Sequence, residues 1–260
     1  MTLRLCVAAR SDRGLVRRGN QDSVYAGMRL AAVADGMGGA AAGDVASSIV
    51  ITALAPLGDQ DPGPGVLDAL RQAVELADQR LRAAVAVDPA LDGMGSTLTG
   101  LLLSGTRLTV VHIGDSRAYL LRDGEFRQLT RDDTFVQMLV DDGHITAEAA
   151  QTHPQRFLVT KVLQGNSVPA EYTVREARPG DRFLVCSDGL SGVVEFDALW
   201  QTLKEYPDRE ACVDQLLDQA LAGGAPDNVT AIVADIADVA PDTEDIPAPI
   251  IGGAAAVTGA

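Results

Sequence analysis

The segment that most constrains this chain is an apolar strand that ends in an acid and a glycine turn, LAAVADGMGG over residues 30–39. Its first five residues are small or aliphatic, which is typical of a buried strand. Asp35 follows them directly, and Gly36 lets the backbone fold closely around whatever the carboxylate binds. The segment therefore predicts a carboxylate held rigidly at the end of a core strand. We expect Asp35 to lie at the centre of a site for two metal ions.

The remainder of the chain has the pattern of short strands separated by blocks of helix. Strand-like runs cover residues 3–10, 23–26, 30–35, 98–103, 107–113, 117–121, 125–129, 157–163, 171–176, 182–187 and 229–235. Amphipathic helices are predicted over about residues 43–55 and 67–84, and a further helix runs from Cys212 to Leu221. Regular alternation of strand and helix is absent, so the pattern favours an α+β fold with antiparallel sheets covered by helices. The strand pattern alone does not distinguish one sheet from two.

The chain is predicted to form one domain followed by a tail. Its 260 residues are enough to bury a full core, and no repeat or linker interrupts the pattern before residue 235. We therefore expect a single domain over residues 1–236. Residues 237–260 are first acidic and then rich in Pro, Gly and Ala, a composition that predicts disorder.

Charge and cysteine content exclude several classes of protein. The net charge of −15, with 36 acids against 21 bases, argues against nucleic acid and anionic membrane as partners. Cys6, Cys186 and Cys212 have no metal-binding spacing, which indicates free thiols in a reducing compartment. No signal peptide is recognisable, and no run reaches the roughly 20 apolar residues that span a bilayer. We expect a cytoplasmic chain with no membrane insertion.

Four acids share a position beside the end of an apolar strand. Asp35 and Asp188 each end a strand and precede a glycine, Asp115 lies in a turn after a strand, and Asp227 comes shortly before one. Mg²⁺ and Mn²⁺ prefer oxygen ligands, including a few carboxylates, so such acids suit a metal site. Asp-Gly is also a common turn signal. Spacing alone leaves both interpretations open.

Six short motifs in order decide between these interpretations. They are Arg17 with Asn20-Gln21-Asp22, Asp35-Gly36-Met37-Gly38-Gly39, Gly95-Ser96-Thr97, Gly114-Asp115-Ser116-Arg117, Ser187-Asp188-Gly189-Leu190 and Asp227-Asn228. Together they resemble the PP2C (PPM) family of metal-dependent protein serine/threonine phosphatases, in its bacterial form. The resemblance covers roughly residues 4–236. It implies a central sandwich of two antiparallel β-sheets flanked by helices, in α-β-β-α layers, with a metal centre at one end.

The resemblance also implies a set of metal ligands. Asp35 resembles the bridging ligand, and Gly36 contributes its carbonyl oxygen. Asp188 and Asp227 resemble the remaining protein ligands of two Mn²⁺ or Mg²⁺ ions. Asp115, together with Asp188, matches the position that binds a third and weaker metal in bacterial relatives.

The catalytic group implied by the resemblance is Arg17, Asp22 and Asp35. Arg17 resembles the phosphate-binding arginine, and Asp22 would accept a hydrogen bond from a metal-bound water. Two metal ions would lower the pKa of a bridging water, and the resulting hydroxide would attack phosphorus in line. Some relatives have a histidine general acid where this chain has Met37. A metal-bound water, or less readily His153, would then protonate the leaving group.

Residues 131–165 interrupt the sheets and correspond to the flap of bacterial relatives. Thr134 and Gln137 have the spacing of a capping box, which predicts a short helix that stops at Gly143. Residues 146–151 indicate another helical turn. The flap is expected to select substrates, and a simple surface excursion is the alternative.

Three functions follow from these patterns. The leading prediction is hydrolysis of phosphoserine and phosphothreonine by a monomer, with phosphorylated proteins, Ser/Thr kinases and their substrates as partners. A non-catalytic phosphoprotein-binding regulator is disfavoured because Arg17 and every metal-position acid are present. A small-molecule metal phosphohydrolase is disfavoured because no nucleotide-binding glycine loop occurs. Some family members continue into a membrane anchor, so the chain could also be the cytoplasmic domain of a longer membrane-anchored protein.

Overall fold

Two antiparallel sheets form the centre of the computed structural model, which describes residues 2–39, 42–239 and 247–258. The first sheet contains, in spatial order, β1 (Thr2–Asp12), β11 (Val229–Val239), β10 (Arg182–Cys186), β7 (Arg117–Arg122) and β8 (Glu125–Gln128). The second contains β12 (Ile250–Gly253), β2 (Asp22–Ala26), β3 (Leu30–Met37), β5 (Leu98–Ser104), β6 (Arg107–Ile113) and β9 (Glu171–Glu176). A short strand, β4 (Gly95–Ser96), pairs with the end of β3. The predicted antiparallel arrangement is therefore confirmed, with two sheets rather than one.

The central core lies between the sheets. Successive side chains of a strand point to opposite faces, so each strand gives one row to this core and the other row to the helices. Val33 and Leu101 of the second sheet share an apolar cluster with Phe183 and Ile232 of the first. Central strands that are buried on both faces lose the polar alternation of an edge strand, which explains the continuous apolar run that ends at Asp35.

Helices cover the outer face of each sheet. On the second sheet, α1 (Ala42–Leu54) and α3 (Val66–Val87) bury Ala46 and Leu70 against Leu30. On the first sheet, α7 (Phe196–Glu205) and α8 (Arg209–Ala222) complete the fourth layer. The shorter helices are α2 (Pro56–Asp59), α4 (Phe135–Asp141), α5 (Ala147–Gln151), α6 (Asp188–Ser191) and α9 (Ala255–Thr258). The expected α-β-β-α order is confirmed.

One local prediction inside the domain is wrong, and one helix was not predicted. Residues 157–163 form no strand and make only isolated bridges, through Val159 and Leu163. This apolar run is the last part of the flap, and its Phe157 is 56% exposed. The apolar character of the run therefore does not reflect pairing in a sheet. Helix α7 was not predicted; it is short, and its apolar face is buried against the first sheet.

The predicted disordered tail also differs from the structure. β11 continues to Val239, and residues 250–253 form β12, which pairs with β2. The composition of residues 237–260 did not predict β12, because this strand depends on pairing with the edge of β2. Residues 240–246 and 259–260 of the predicted tail lie outside the described residues. The domain boundary at residue 236 stays a prediction.

The cysteines and the helix lengths bear on the remaining expectations. All three cysteines are free, with Cys186 and Cys212 buried and Cys6 partly exposed. Across residues 2–39, 42–239 and 247–258, none of the helices has the length and hydrophobicity that crossing a bilayer requires.

Candidate metal centre

Strand ends from both sheets bring the predicted acids to one end of the sandwich. Asp22, the first residue of β2, lies directly opposite Asp35 of β3 in the pairing register. Asp188 follows β10 at the start of α6, and Asp227 precedes β11. Asp115 occupies the turn between β6 and β7. Acids from five separate segments thus meet at one site.

A cavity of about 410 Å³ opens at this end of the sandwich. Its wall contains six of the seven predicted site residues, Arg17, Asp35, Gly36, Asp115, Asp188 and Asp227. Asp22 lies behind the wall and is only 1% exposed. Met37 also lines the cavity, whereas His153 lies outside it and packs with its ring 6.3 Å from that of Phe135. The structure therefore gives no support to His153 as a proton donor.

Gly36 permits the close packing of α1 against the end of β3. A Cβ atom at this position would lie 1.9 Å from the carbonyl oxygen of Gly43 in α1 and 2.7 Å from that of Gln21. The Gly36 amide donates to the same Gln21 oxygen at 3.1 Å. Any side chain here would separate the helix from the strand, so the glycine fixes the turn that follows Asp35.

Ser96 and Thr97 hold the backbone of Asp35. The Asp35 amide donates to Thr97 Oγ1 at 3.0 Å, and its carbonyl accepts from the Thr97 amide at 2.9 Å and from Ser96 Oγ at 3.1 Å. Thr97 Oγ1 also hydrogen-bonds to Ser116 Oγ at 2.8 Å, next to Asp115. One threonine thus connects two acid-bearing turns. Both residues belong to the Gly95-Ser96-Thr97 motif, but their sequence alone did not indicate this role.

Ser187 orients the carboxylate of Asp22. Its hydroxyl donates to Asp22 Oδ2 at 2.7 Å and accepts from the Thr230 amide at 3.0 Å. This role of Ser187 was not predicted, although its place directly before Asp188 was a signal. The other Asp22 oxygen, Oδ1, is buried without a hydrogen-bond partner, and so is Oδ1 of Asp188. Two buried carboxylate oxygens therefore remain available to a ligand.

Arg17 is held beside Asp227 in the loop before β2. Its Nη2 atom lies 2.5 Å from Asp227 Oδ2, and its side chain is 51% exposed. The loop is anchored by Asn228, whose amide group donates to the carbonyl oxygens of Arg13 at 2.9 Å and Gly19 at 2.8 Å. Asn228 is a site residue that the sequence analysis noted only as the neighbour of Asp227.

Burial and mutual repulsion raise the pKa values of the acids. Burial is the largest cause in each case, and it raises the pKa of Asp22 to about 7 and that of Asp115 to about 8. It also raises the pKa of Asp35 well above its usual value, with the charge of Asp22 as the next cause. The pKa of Asp188 is raised by burial and by the charge of Asp227. A bound cation would offset the free-energy cost of keeping these buried carboxylates ionised.

The donor set fits a hard divalent cation that keeps several waters. Within the described residues, no three acidic, histidine or cysteine side chains form a complete ligand cluster by themselves. Mg²⁺ and similar ions are commonly held by one or two carboxylates, with water or substrate oxygens completing the shell. The unpartnered oxygens of Asp22 and Asp188, together with the carboxylates of the cavity wall, agree with that chemistry.

The predicted flap is attached to the turn that carries Asp115. Asp133 accepts from the Gly114 amide at 3.1 Å through Oδ2, and its own amide donates to the Gly114 carbonyl at 2.7 Å. Lys161, from the far end of the flap, lies 2.5 Å from Asp133 Oδ1. Phe157 contributes to the cavity wall. The predicted flap therefore borders the site, and Asp133 is an anchor that the sequence analysis did not identify.

Comparison with known proteins identifies the family. The family model described as "Protein phosphatase 2C" matches residues 13–230. This chain belongs to the protein phosphatase 2C family. A curated relative, the serine/threonine protein phosphatase PstP of Mycobacterium tuberculosis, is 56% identical over 238 residues, which are 92% of this chain and 46% of the relative. The chain thus spans about half the length of this relative.

Solved structures confirm the fold. The crystal structure of the M. tuberculosis serine/threonine phosphatase PstP/Ppp has a TM-score of 0.88 at 56% identity, covering 89% of this chain and 98% of that chain. A second structure, the catalytic domain of PstP in complex with two manganese ions, has a TM-score of 0.86 at 54% identity. It covers 91% of this chain and 100% of that chain. The two-sheet sandwich with outer helices is thus the fold of this family.

Proposed function

We propose that this chain hydrolyses phosphoserine and phosphothreonine in proteins with the help of two divalent cations. One observation carries the proposal: the cavity where the five acids meet is lined both by Asp188, which has a buried oxygen without a partner, and by the half-exposed guanidinium of Arg17. Acids without counter-charge suit cations, and the planar fork of an arginine suits phosphate oxygens. The similarity to the serine/threonine phosphatase PstP supports the same reaction.

The proposed metal ligands are the acids that line the cavity. Asp35, the Gly36 carbonyl, Asp188 and Asp227 would hold two Mn²⁺ or Mg²⁺ ions, and Asp115 with Asp188 would hold a weaker third. The complex of the PstP catalytic domain with two manganese ions supports this number. When bound, the ions would offset the repulsion among the acids and lower the pKa of a bridging water towards neutrality.

Arg17 and Asp22 would supply the remaining catalytic groups of this chain. The Arg17 guanidinium would bind two phosphoryl oxygens and stabilise the charge that they carry while the bond to the Ser or Thr oxygen breaks. Asp22 would orient water through the carboxylate that Ser187 holds in place. Among the described residues, no serine, cysteine or histidine lines this cavity. Water is therefore the proposed nucleophile, and water held by the cations, rather than a side chain at the Met37 position, would supply the proton to the leaving oxygen.

The proposed substrates are phosphorylated proteins, including Ser/Thr kinases and the targets of those kinases. A second cavity of about 400 Å³ lies beneath the flap and shares Asp115 and Asp188 with the first. The two cavities together offer room for residues on either side of a phosphorylated Ser or Thr, which supports a macromolecular substrate. Free cysteines support a reducing compartment such as the cytoplasm. A monomer remains the proposed state.

The decisive experiment is phosphate release from a phosphothreonine peptide by the purified chain, with Mn²⁺ or with EDTA. We expect release with Mn²⁺ and none with EDTA. Faster hydrolysis of nucleotides or other small phosphate esters than of the peptide would favour a small-molecule phosphohydrolase. Peptide binding without release under either Mn²⁺ or Mg²⁺ would favour a non-catalytic regulator.

A further inference from the structure

Residues 250–255 form a strap along the outer edge of β2. β12 pairs with β2 in antiparallel register, from Ile250 opposite Ala26 to Gly253 opposite Ser23. The next amide, that of Ala254, donates to the carbonyl oxygen of Asp22 at 2.7 Å. The last backbone hydrogen bond of this pairing therefore reaches a residue of the proposed catalytic centre.

A second path links the strap to Gly36 through buried hydroxyls. The Ala255 amide donates to Ser23 Oγ at 3.1 Å, and Ser23 Oγ hydrogen-bonds to Ser47 Oγ at 2.8 Å. Ser47 Oγ donates at 2.6 Å to the carbonyl oxygen of Gln21, which also accepts from the Gly36 amide. Both serines are fully buried, so water does not compete for these bonds.

Gly253 is the point where the strap comes closest to the site. Its φ is +66°, and a Cβ atom there would lie 2.1 Å from the carbonyl oxygen of Asp22. Beyond it, Ala255 is 3% exposed and packs in the apolar cluster under α1, while Ile250 packs against the central core. The strap is thus docked at both of its ends, with its tightest contact at Asp22.

We propose that the strap positions Asp22 and Gly36, so that its docking sets how tightly the catalytic centre binds divalent cations. This inference rests on the proposed function for the meaning of the site. An edge strand can open locally at a lower free-energy cost than a central strand. Docked and released forms of residues 250–255 would therefore differ in cation affinity, which makes the strap a regulatory element of the site.

The competing interpretation is that the strap only covers an edge of the sheet. In that case its loss would lower the melting temperature of the protein but leave the Asp22 end of β2 and the cation affinity of the folded molecules unchanged. A positioning role requires the cation affinity and the local backbone protection to change together.

The first experiment compares Gly253→Ala with Ile251→Ala. Gly253→Ala introduces a methyl group against the Asp22 carbonyl, whereas Ile251 lies in the same strand opposite Tyr25, with its side chain 46% exposed. Calorimetric titration of the metal-free chains with Mn²⁺ should show about tenfold weaker binding for Gly253→Ala. Ile251→Ala keeps the backbone pairing with β2 and shortens a half-exposed side chain, so its Mn²⁺ affinity should stay within about twofold of that of the unmodified chain. Amide hydrogen exchange of the metal-free protein should accelerate at residues 22–24 only in Gly253→Ala.

The second experiment removes the strap and returns it in trans. A chain ending at Val239 should bind Mn²⁺ more weakly, and a synthetic peptide of residues 247–258 at saturating concentration should restore the affinity. Unchanged Mn²⁺ affinity and unchanged exchange in Gly253→Ala would overturn the proposal, even if the melting temperature fell. If the shortened chain did not fold, the comparison of Gly253→Ala with Ile251→Ala would still show whether the strap positions Asp22 or only covers the edge of the sheet.

These readouts separate the strap from the proposed function. If the unmodified chain releases no phosphate but Gly253→Ala weakens Mn²⁺ binding, phosphatase activity is rejected and the strap proposal is supported. If the chain is active and Mn²⁺ affinity does not depend on residue 253, the strap proposal alone is rejected. If the unmodified chain binds no Mn²⁺, both proposals are rejected.

Discussion

Strand β10 has a buried aspartate beside each of its ends, and the two have opposite surroundings. Asp181, before the strand, is 1% exposed, and its two oxygens accept from the Arg122 guanidinium at 2.6 Å each. The Arg178 amide adds a third bond at 2.8 Å. Asp188, after the strand, has an oxygen without a partner, and burial together with the charge of Asp227 raises its pKa.

The difference separates a structural acid from one that is available to a ligand. A buried carboxylate costs free energy unless a donor or a cation compensates its charge. Arg122 supplies that compensation at one end of β10. At the other end neighbouring acids add repulsion, which favours an external cation. The following predictions test whether the two ends differ in this way.

Removing the acid at the site should have the largest effect on catalysis. We expect Asp188→Ala to lower kcat for a phosphothreonine peptide by at least about a hundredfold, since even outer groups of a metal site matter by 10–100-fold. Initial rates at saturating Mn²⁺ measure this. Thermal melting in EDTA should show no loss of stability, because the substitution removes repulsion. An unchanged kcat would mean that the site is wrongly assigned.

Replacing Asp181, the acid before β10, should lower stability rather than catalysis. Asp181→Asn would leave the Arg122 guanidinium without its charge partner, which should lower the free energy of unfolding by about 3 kcal/mol. We take the low end of the usual range because the Arg122 side chain is 20% exposed. Urea unfolding measures the loss. If kcat per folded molecule also fell, the two ends of β10 would not be independent.

Removing the guanidinium should reduce phosphate binding. Arg17→Ala should lower kcat/KM by about a hundredfold, the scale for losing one donor to a developing charge. Arg17→Lys should recover part of the loss, because lysine keeps the charge but not the planar fork. Steady-state kinetics with the phosphothreonine peptide measure both. If Arg17→Ala left kcat and KM intact, the phosphate role would be wrong.

The last prediction concerns how the stability of the chelated protein depends on pH. Burial raises the pKa of Asp115 from 3.8 to about 8 and that of Asp22 to about 7, so the folded state holds protons that the unfolded state releases. The free energy of unfolding should therefore fall as pH rises from about 4 to 8. Urea unfolding in EDTA at pH 5 and pH 8 measures this fall, and Asp115→Asn should make it shallower. A rise over this interval would contradict the assignment.

Much of the fold was predictable because its signals are local. The alternation and turn signals identified most strands, and the Thr134 cap does accept from the Gln137 amide at 3.2 Å, as the capping box predicts. The exceptions depend on distant partners. Residues 157–163 belong to the flap and form only isolated bridges, and β12 exists because β2, more than 220 residues earlier in the chain, offers a free edge.

By itself, the sequence determined the kind of chemistry. Acids at strand ends, a glycine turn after Asp35 and an arginine in the first loop are local features, and their order carries the resemblance to the phosphatase family. Only the tertiary structure decided which acids have counter-charges. Asp181 obtains its partner from a strand 59 residues earlier, whereas Asp188 is left with an unpartnered oxygen. Such pairing depends on which strand ends meet in space, and a local pattern of residues does not encode that.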